Sequence, residues 1–352
     1  MKKRIVTIVG ARPQFIKAAP LSKALKEHPE IEEILVHTGQ HFDANMSDIF
    51  FSELHIPKPK YSLNINDAPH GQMTGHMLGS IEELLTQEPT DAVVVYGDTN
   101  STLAGSLAAS KLQIPVIHIE AGLRSYNRKM PEETNRVLTD HVSSLLLCPT
   151  KTAVSNLQKE GITGGSHHVG DIMYDATLHA IERIQTDNNL NQKFQDLEDK
   201  FALMTVHRAE STDSFDTFEK IIQFAKKFAT DHALKIIFPV HPRTKTLVNQ
   251  LPKNIKEKFI LLDPLSYLDT QFLLSKAEYV LTDSGGLQKE AYFHRVPCIT
   301  LRSETEWVET IESGWNRLWT TEYYHQRTDI KDFGDGQSAK KMAEIIVDFL
   351  QT

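Results

Sequence analysis

The stretch "DAVVVYGDTNSTLAGSLAASKLQIPVIHIE", residues 91–120, decides the fold. Two apolar runs, Ala92–Tyr96 and Val116–Ile119, the second interrupted only by His118, flank a segment that reads as a helix over Thr102–Lys111. Runs rich in Val and Ile, without polar alternation, mark strands covered on both faces. Two such strands joined by a helix pair in parallel, because a parallel pair needs a crossover of a dozen or more residues.

The same plan extends in both directions. Ile5–Val9, Ile34–Val36 and Leu145–Cys148 complete a first series of apolar runs, with a helical stretch at Lys17–Glu27. A second series follows at Ala202–Val206, Lys235–Val240, Phe259–Leu262, Tyr279–Thr282 and Pro297–Leu301. Two series predict two doubly wound α/β domains. We place the first at 1–168 and the second at 169–336, with "TDNNLNQK" (186–193) read as a loop near the break. After a Gly-rich turn at Gly334–Gly336, Ser338–Leu350 has the pattern of an amphipathic helix within a last segment, 337–352.

The bulk numbers agree with this. A chain of 352 residues has room for two domains of roughly 150 residues each. Its composition, 40% hydrophobic and 24% charged, is that of an ordinary globular protein. A net charge of −8 gives no reason to expect nucleic acid or an anionic membrane as a partner. An anionic ligand would therefore need a local arrangement of charge. No apolar run reaches the roughly 18–20 residues of a membrane span. "MKKRIVTIVGARP" lacks the roughly 7–15 apolar residues of a secretory signal. Cys148 and Cys298 each end an apolar run, which predicts buried free thiols and a cytoplasmic location.

Open parallel sheets bind ligands outside the carboxyl ends of their strands. The residues there are Gly10-Ala11-Arg12, His37-Thr38-Gly39, Gly97-Asp98 and Glu120 in the first series. In the second they are His207-Arg208, His241-Pro242-Arg243, Asp263-Pro264 and Asp283-Ser284-Gly285-Gly286. In "LTDSGGLQKEAYF" a strand ends, Ser284-Gly285-Gly286 turns and a helix begins. Two readings stand for it: an anion site of backbone N–H groups at a helix N-terminus, or a Ser cap with Gly in a tight turn. Glu290, one turn in, has the length to reach ribose hydroxyls. In "VGARPQFIK" Arg12 stands where a dinucleotide fingerprint needs its second Gly, so that motif fails. Arg12 and Lys17 near a helix N-terminus oppose its dipole, which a bound anion would explain. Neither H-E-x-x-H nor C-x-x-C occurs, so no metal is expected.

"HIEAGLRSYNRKMPEETNR", residues 118–136, adds Glu120 at a strand tip and a loop over Ala121–Met130. Pro131 then opens a helix whose first turn carries Glu132 and Glu133. Glu132 with Arg136 has the spacing of a helical ion pair. Glu133, Arg128 and Lys129 read as ordinary helix-end charge. Asp98 and Glu120 on separate tips do not fit that account. Converging carboxylates repel, which is how an acid or base for proton transfer is made.

Together, "GARPQFIKAAP", "HTGQHFD", "VYGDTNSTLAG", "HIEAGLRS", "MPEETNR", "DSGGLQKEA" and "GDGQ" resemble the non-hydrolysing UDP-N-acetylglucosamine 2-epimerase family, in order from Val9 to Gln337. The resemblance implies two Rossmann-like domains facing across a cleft (GT-B-like), with the last helix returning to the first domain. It implies inversion of C2 in a UDP-linked N-acetylhexosamine, by anti elimination of UDP and re-addition, with no cofactor. Asp98, Glu120, Glu132 and His207 resemble the catalytic groups. Arg12, Lys17 and Arg136 resemble the cationic contacts to substrate, Ser284, Gly285 and Gly286 the phosphate loop, and Glu290 the ribose ligand. The family also implies a homodimer. "GARPQ" and "HRAESTD" depart from its best-known members, as does Trp307 in "RSETEWVET". These variants resemble the branch that converts UDP-2,3-diacetamido-2,3-dideoxy-glucuronate to its mannuronate epimer for surface polysaccharide such as O-antigen. Gln40 and His41 match part of a regulatory second-substrate site of some members. A GT-B glycosyltransferase using a UDP-sugar donor is the alternative class.

Overall fold

The structure is a computed structural model that describes residues 2–40, 56–66, 68–197, 200–252, 255 and 257–351. His41 lies outside the described residues. The chain divides into two compact units, Met1–Ala176 with Lys331–Thr352, and Thr177–Ile330.

Among the described residues the first unit is built on seven strands: β1 (Lys3–Val9), β2 (Ile31–His37), β3 (Tyr61–Ser62), β4 (Ala92–Tyr96), β5 (Val116–Ile119), β6 (Leu145–Cys148) and β7 (Ser166–His168). All pair in parallel, in the order β3-β2-β1-β4-β5-β6-β7. Its helices are α1 (Arg12–Leu25), α2 (His70–Gln87), α3 (Asn100–Lys111), α4 (Pro131–Val142), α5 (Lys151–Lys159) and α6 (Ile172–Thr186), the last running into the second unit. The order reverses between β1 and β4, so the loops after these strands diverge and leave the crevice where such sheets bind ligands.

The second unit continues with α7 (Asn188–Lys193), β8 (Phe201–Thr205), α8 (Ala209–Thr212), α9 (Phe215–Asp231), β9 (Lys235–Pro239), α10 (Pro242–Gln250) and β10 (Phe259–Leu262). It ends with α11 (Tyr267–Lys276), β11 (Tyr279–Thr282), α12 (Gly285–Phe293), β12 (Cys298–Thr300), α13 (Val308–Glu312) and β13 (Asn316–Leu318). Its sheet is parallel in the order β10-β9-β8-β11-β12-β13, with the reversal between β8 and β11.

Both faces of the first sheet are covered, which is why its central strands carry no alternation. Phe15, Leu21 and Leu25 of α1 pack on one face together with Met342, Ile346 and Leu350 of the last helix, α14 (Ser338–Gln351). Met77, Ile81, Ala104 and Ala108 cover the other. There α3 lies so close that a Cβ on Gly105 would fall 2.7 Å from Ile8 Cδ1. The start of α14 is capped from α6, where the buried Asp175 carboxylate accepts from the backbone N–H of Ser338 (3.2 Å) and Ala339 (2.8 Å).

Several sequence expectations need correction. Residues 186–193 are not a loop over their length, because α7 occupies most of them. Asp187 caps it by accepting from Asn189 N, and Leu190 is buried. His167 and His168 sit in edge strand β7, which the apolar pattern did not show, and His168 Nε2 bonds the carbonyl of Asp332. Residues 169–176 and 331–336 group with the first unit. Val169 and Ile172 belong to its core, and Asp171 N donates to the Phe333 carbonyl. Strands β3 and β7 escaped the apolar pattern because they are short, largely solvated edge strands, and β13 because its three residues include the buried polar Asn316 and Arg317. Among the described residues no helix is long and apolar enough to cross a membrane. Cys148 and Cys298 are free and buried.

Candidate active site

In the first unit the charged side chains gather at the reversal between β1 and β4. The turn after β1 is held by Gln14, which is 1% exposed. Its Oε1 accepts from Gly10 N (2.8 Å) and Ala11 N (3.0 Å). Its Nε2 donates to the Tyr96 carbonyl (3.0 Å) and Thr102 Oγ1 (3.0 Å). One amide therefore ties the β1 tip, which carries Arg12, to the β4 tip, which carries Asp98. Sequence reading noted Gln14 only as a departure from relatives. No local signal shows that its partners lie 82 and 88 residues away.

Lys17 comes off the second turn of α1 and is not a surface cation. It is 7% exposed, and its ammonium pairs with Glu120, itself 8% exposed. Glu120 adopts φ +71°, the left-handed region that side chains avoid. Such a conformation costs on the order of 1–3 kcal/mol and persists only where surroundings enforce it. Here Glu120 N donates to the Leu147 carbonyl at 3.0 Å. Gly97 is also left-handed, at φ +61°, and a Cβ there would lie 3.2 Å from Lys17 Nζ and 3.3 Å from Glu120 Oε2. The pair is thus pressed against the backbone next to Asp98.

Asp98 is half-buried and pairs with Arg136 Nη2. Arg136, 2% exposed, also lies 3.3 Å from Glu133 Oε2. The expected pair between Glu132 and Arg136 does not form. Arg136 turns to Asp98 and Glu133, and Glu132 stays half-buried without a hydrogen-bond or ion-pair partner among the described residues. Glu133 is more than helix-end charge. Its carboxylate accepts from Ser125 N, Ser125 Oγ and Tyr126 N, each at 2.9 Å, and so pins the loop after Glu120 onto α4. The strand-tip carboxylates do not simply repel one another, since Asp98 and Glu120 each face a cation. Arg12 is half-buried at the first position of α1.

In the second unit the same kind of reversal, between β8 and β11, carries His207 and the Gly-Gly turn. Asp283 is fully buried and accepts from His207 N (2.9 Å) and Arg208 N (2.9 Å), which joins the two tips. His207 Nδ1 lies 3.4 Å from Asp283 Oδ1, and its side chain is 39% exposed. Ser284 occupies the cap position of α12 but makes no side-chain cap bond, so the capping account of this turn loses its main support. A Cβ on Gly285 would lie 2.3 Å from Glu306 Oε1, whereas one on Gly286 would meet nothing within 4 Å. A side chain at the first Gly would displace the Glu306 carboxylate, and the second leaves the helix N-terminus open to an anion. Glu290 is buried, with Oε1 accepting from Gln271 Nε2 at 3.0 Å. Sequence reading missed Asp283 as the link between tips. It also missed the packing of Trp307 on Lys289, whose ammonium lies 3.7 Å from the ring centre.

Two doubly wound parallel sheets, one with paired acids and cations at its reversal and one with an open Gly-Gly helix start, define a Rossmann-like α/β protein with acid–base groups and a candidate anion site. The comparisons narrow this to one family. The profile of the UDP-N-acetylglucosamine 2-epimerase family matches residues 23–347, and the chain belongs to that family of carbohydrate isomerases. It is 49% identical to the UDP-2,3-diacetamido-2,3-dideoxy-D-glucuronate 2-epimerase of Pseudomonas aeruginosa, over 90% of this chain and 88% of that one. It is 46% identical to the UDP-N-acetylglucosamine 2-epimerase of Methanocaldococcus jannaschii, again over 90% and 88%. A crystal structure of M. jannaschii UDP-GlcNAc 2-epimerase in complex with UDP-GlcNAc and UDP superposes with a TM-score of 0.91 at 41% identity, covering 99% of this chain and 100% of that one. The α/β class and the GT-B-like family of fold expected from sequence are borne out.

Proposed function

We propose that the protein inverts C2 of a UDP-linked N-acetylhexosamine by eliminating and re-adding UDP. The observation that carries this reading is the pairing of Glu120 with Lys17 and of Asp98 with Arg136 at one strand-order reversal, in a chain of the epimerase family. A carboxylate takes the C2 proton while the C1–O bond to UDP breaks, which yields a 2-acetamidoglycal and UDP. Return of UDP to C1 and of a proton to the opposite face of C2 gives the epimer, so atoms and charge balance. Glu120, Asp98 and Glu132 supply the proton-transfer groups, with His207 as a further donor or acceptor. Glu132 is suited to this by having no competing partner among the described residues. Arg12, Lys17 and Arg136 offset negative charge on the substrate. The backbone N–H groups at Ser284, Gly285 and Gly286 take the diphosphate, and Glu290 takes the ribose. Stabilisation of the departing diphosphate by fixed donors is the largest demand of such a step.

Relatives named for two different sugars stand at similar identity, so the substrate is either UDP-GlcNAc or the diacetamido-glucuronate. We further place the enzyme as a cytoplasmic homodimer in surface polysaccharide synthesis. The test is incubation of purified protein with each UDP-sugar in deuterated water. The expected result is a C2 epimer carrying deuterium at C2 from one of them. No epimer from either, or transfer of the sugar to an added acceptor, refutes the reading. Sedimentation in the same buffer checks the dimer.

A further inference from the structure

His118 lies inside β5 and is fully buried, with both ring nitrogens opposite acceptors. Nε2 lies 2.7 Å from the Gly97 carbonyl oxygen, and Nδ1 lies 2.7 Å from Asp140 Oδ1. Asp140, on α4, also accepts from Gly122 N (3.1 Å) and from Arg124 Nη1 (2.7 Å). Arg124 in turn makes a two-pronged contact with Glu160, both bonds 2.7 Å. A continuous polar chain therefore runs from the Gly97 carbonyl through His118, Asp140 and Arg124 to the partly exposed Glu160. Burial by itself would raise the Asp140 carboxyl, but His118 and Arg124 outweigh it and hold it below the usual carboxylate range.

The place where this chain ends is informative. The carbonyls of three successive residues at the β4 tip each accept a side-chain donor. Tyr96 takes Gln14 and Thr102, Gly97 takes His118, and Asp98 takes Asn135 Nδ2 at 2.9 Å. Gly97 N also donates to the Ile119 carbonyl at 2.9 Å. A strand tip needs no such number of side-chain bonds to end a sheet. The Gly97 peptide orients Asp98 toward Arg136, and its Cα faces the pair of Lys17 and Glu120. Asp140 and Arg136 share α4, so the His118–Asp140 bond also sets how α4 presents Arg136 to Asp98.

We propose that His118 and Asp140 are positioning residues for the reaction, holding the Gly97 peptide and α4 so that the Asp98–Arg136 pair takes its working geometry. This rests on the function proposed above. The groups concerned are Arg136 and Glu133 beside Asp98, Lys17 and Glu120 across Gly97, and Asp140, Arg124, Glu160 and His141 behind His118.

The experiment compares the parent enzyme with His118→Gln and with the shape-conserving Asp140→Asn. A displacement of order 1 Å at reacting groups costs about 100-fold in rate. The expected result is therefore a loss of that order in kcat, with KM changed less than about threefold and a displaced acid limb in the pH profile of kcat. A residue that merely supports the fold lowers melting temperature and active fraction but leaves that profile in place. Should either variant fold poorly, Arg124→Lys tests the outer link and is expected to shift the profile in the same direction by less. Folded variants with the parent's kcat and profile overturn the proposal. Amide exchange keeps this failure apart from failure of the proposed function. Whether or not either sugar turns over, exchange at Gly97 should rise about tenfold or more in His118→Gln. Unchanged exchange overturns the inference, while a parent that epimerises neither sugar overturns only the function.

Discussion

Gln14→Met removes four hydrogen bonds from one buried side chain while keeping its length and volume. The Tyr96 carbonyl still accepts from Thr102 Oγ1 at 2.6 Å, and Thr102 keeps that bond, so the loss falls on the Gly10 and Ala11 N–H groups. Each buried donor left without a partner costs about 1–3 kcal/mol, or about 2–6 kcal/mol for the two. The more apolar Met side chain recovers on the order of 1 kcal/mol through burial. The net expectation is a loss of about 3 kcal/mol in the first unit, a large share of the roughly 5–15 kcal/mol that holds a domain folded. Because the chain forms two compact units, a single unfolding transition cannot be assumed. The assay is native-state amide exchange, read at Gly10 and Ala11 and at core amides of β1 and β4. The catalytic corollary is a fall in kcat/KM at temperatures where the variant remains folded, since the turn carrying Arg12 loses its tie to the tip carrying Asp98. A variant that loses under about 1 kcal/mol, with Gly10 and Ala11 as protected as in the parent, would refute the account of Gln14 as the clamp between the two tips.

Three further outcomes are expected. Glu133→Ala removes the acceptor of Ser125 N, Ser125 Oγ and Tyr126 N, bonds to a charged group worth about 1.5–3 kcal/mol each. Trypsin should then cut at Arg128 or Lys129 under native conditions, and resistance equal to the parent's counts against the pinned loop. Asp140 sits below its unfolded value of about 3.9. The folded state thus binds fewer protons there, and the stabilisation is complete above that value and lost as pH falls through the lower, folded one. Asp140→Asn should flatten the acid limb of stability against pH, and an unaltered limb would contradict the shift. Burial pushes the Cys148 thiol up to about 12 and Cys298 higher still, so alkylation at pH 8 should be negligible until denaturant is added. Rapid labelling of the native protein would show these thiols to be accessible.

Much of the fold was legible in the sequence, for a specific reason. Central parallel strands are covered on both faces, so β1, β4, β5, β6, β8 and β11 are built mainly of apolar residues, with Thr7 and His118 as interruptions in β1 and β5. Crossover helices between such runs leave few topologies open. The strands that failed to show, β3, β7 and β13, are short and lie at sheet edges; solvation removes the signal from the first two, and buried polar residues, Asn316 and Arg317, remove it from the third. The helix α7 was hidden by its Asn-rich composition and depends on one cap and one buried Leu. The residue types at the strand tips were legible too, because ligands in open parallel sheets bind outside the carboxyl ends of the strands and ionisable residues recur at those tips in both series.

The sequence by itself therefore determined the two parallel α/β units, the tips at which chemistry gathers, and membership of the epimerase family. Only the tertiary structure decided which charges meet. Lys17 finds Glu120 across 103 residues, Gln14 finds Tyr96 across 82, Asp98 finds Arg136 across 38 and His118 finds Asp140 across 22. Local periodicity records the face on which a side chain lies, since that repeats every two or 3.6 residues. A partner on another strand or helix depends on sheet order and register, which no local window contains. That is why Arg136, one turn from Glu132, binds Asp98 instead, and why Glu133 became the residue that holds the loop.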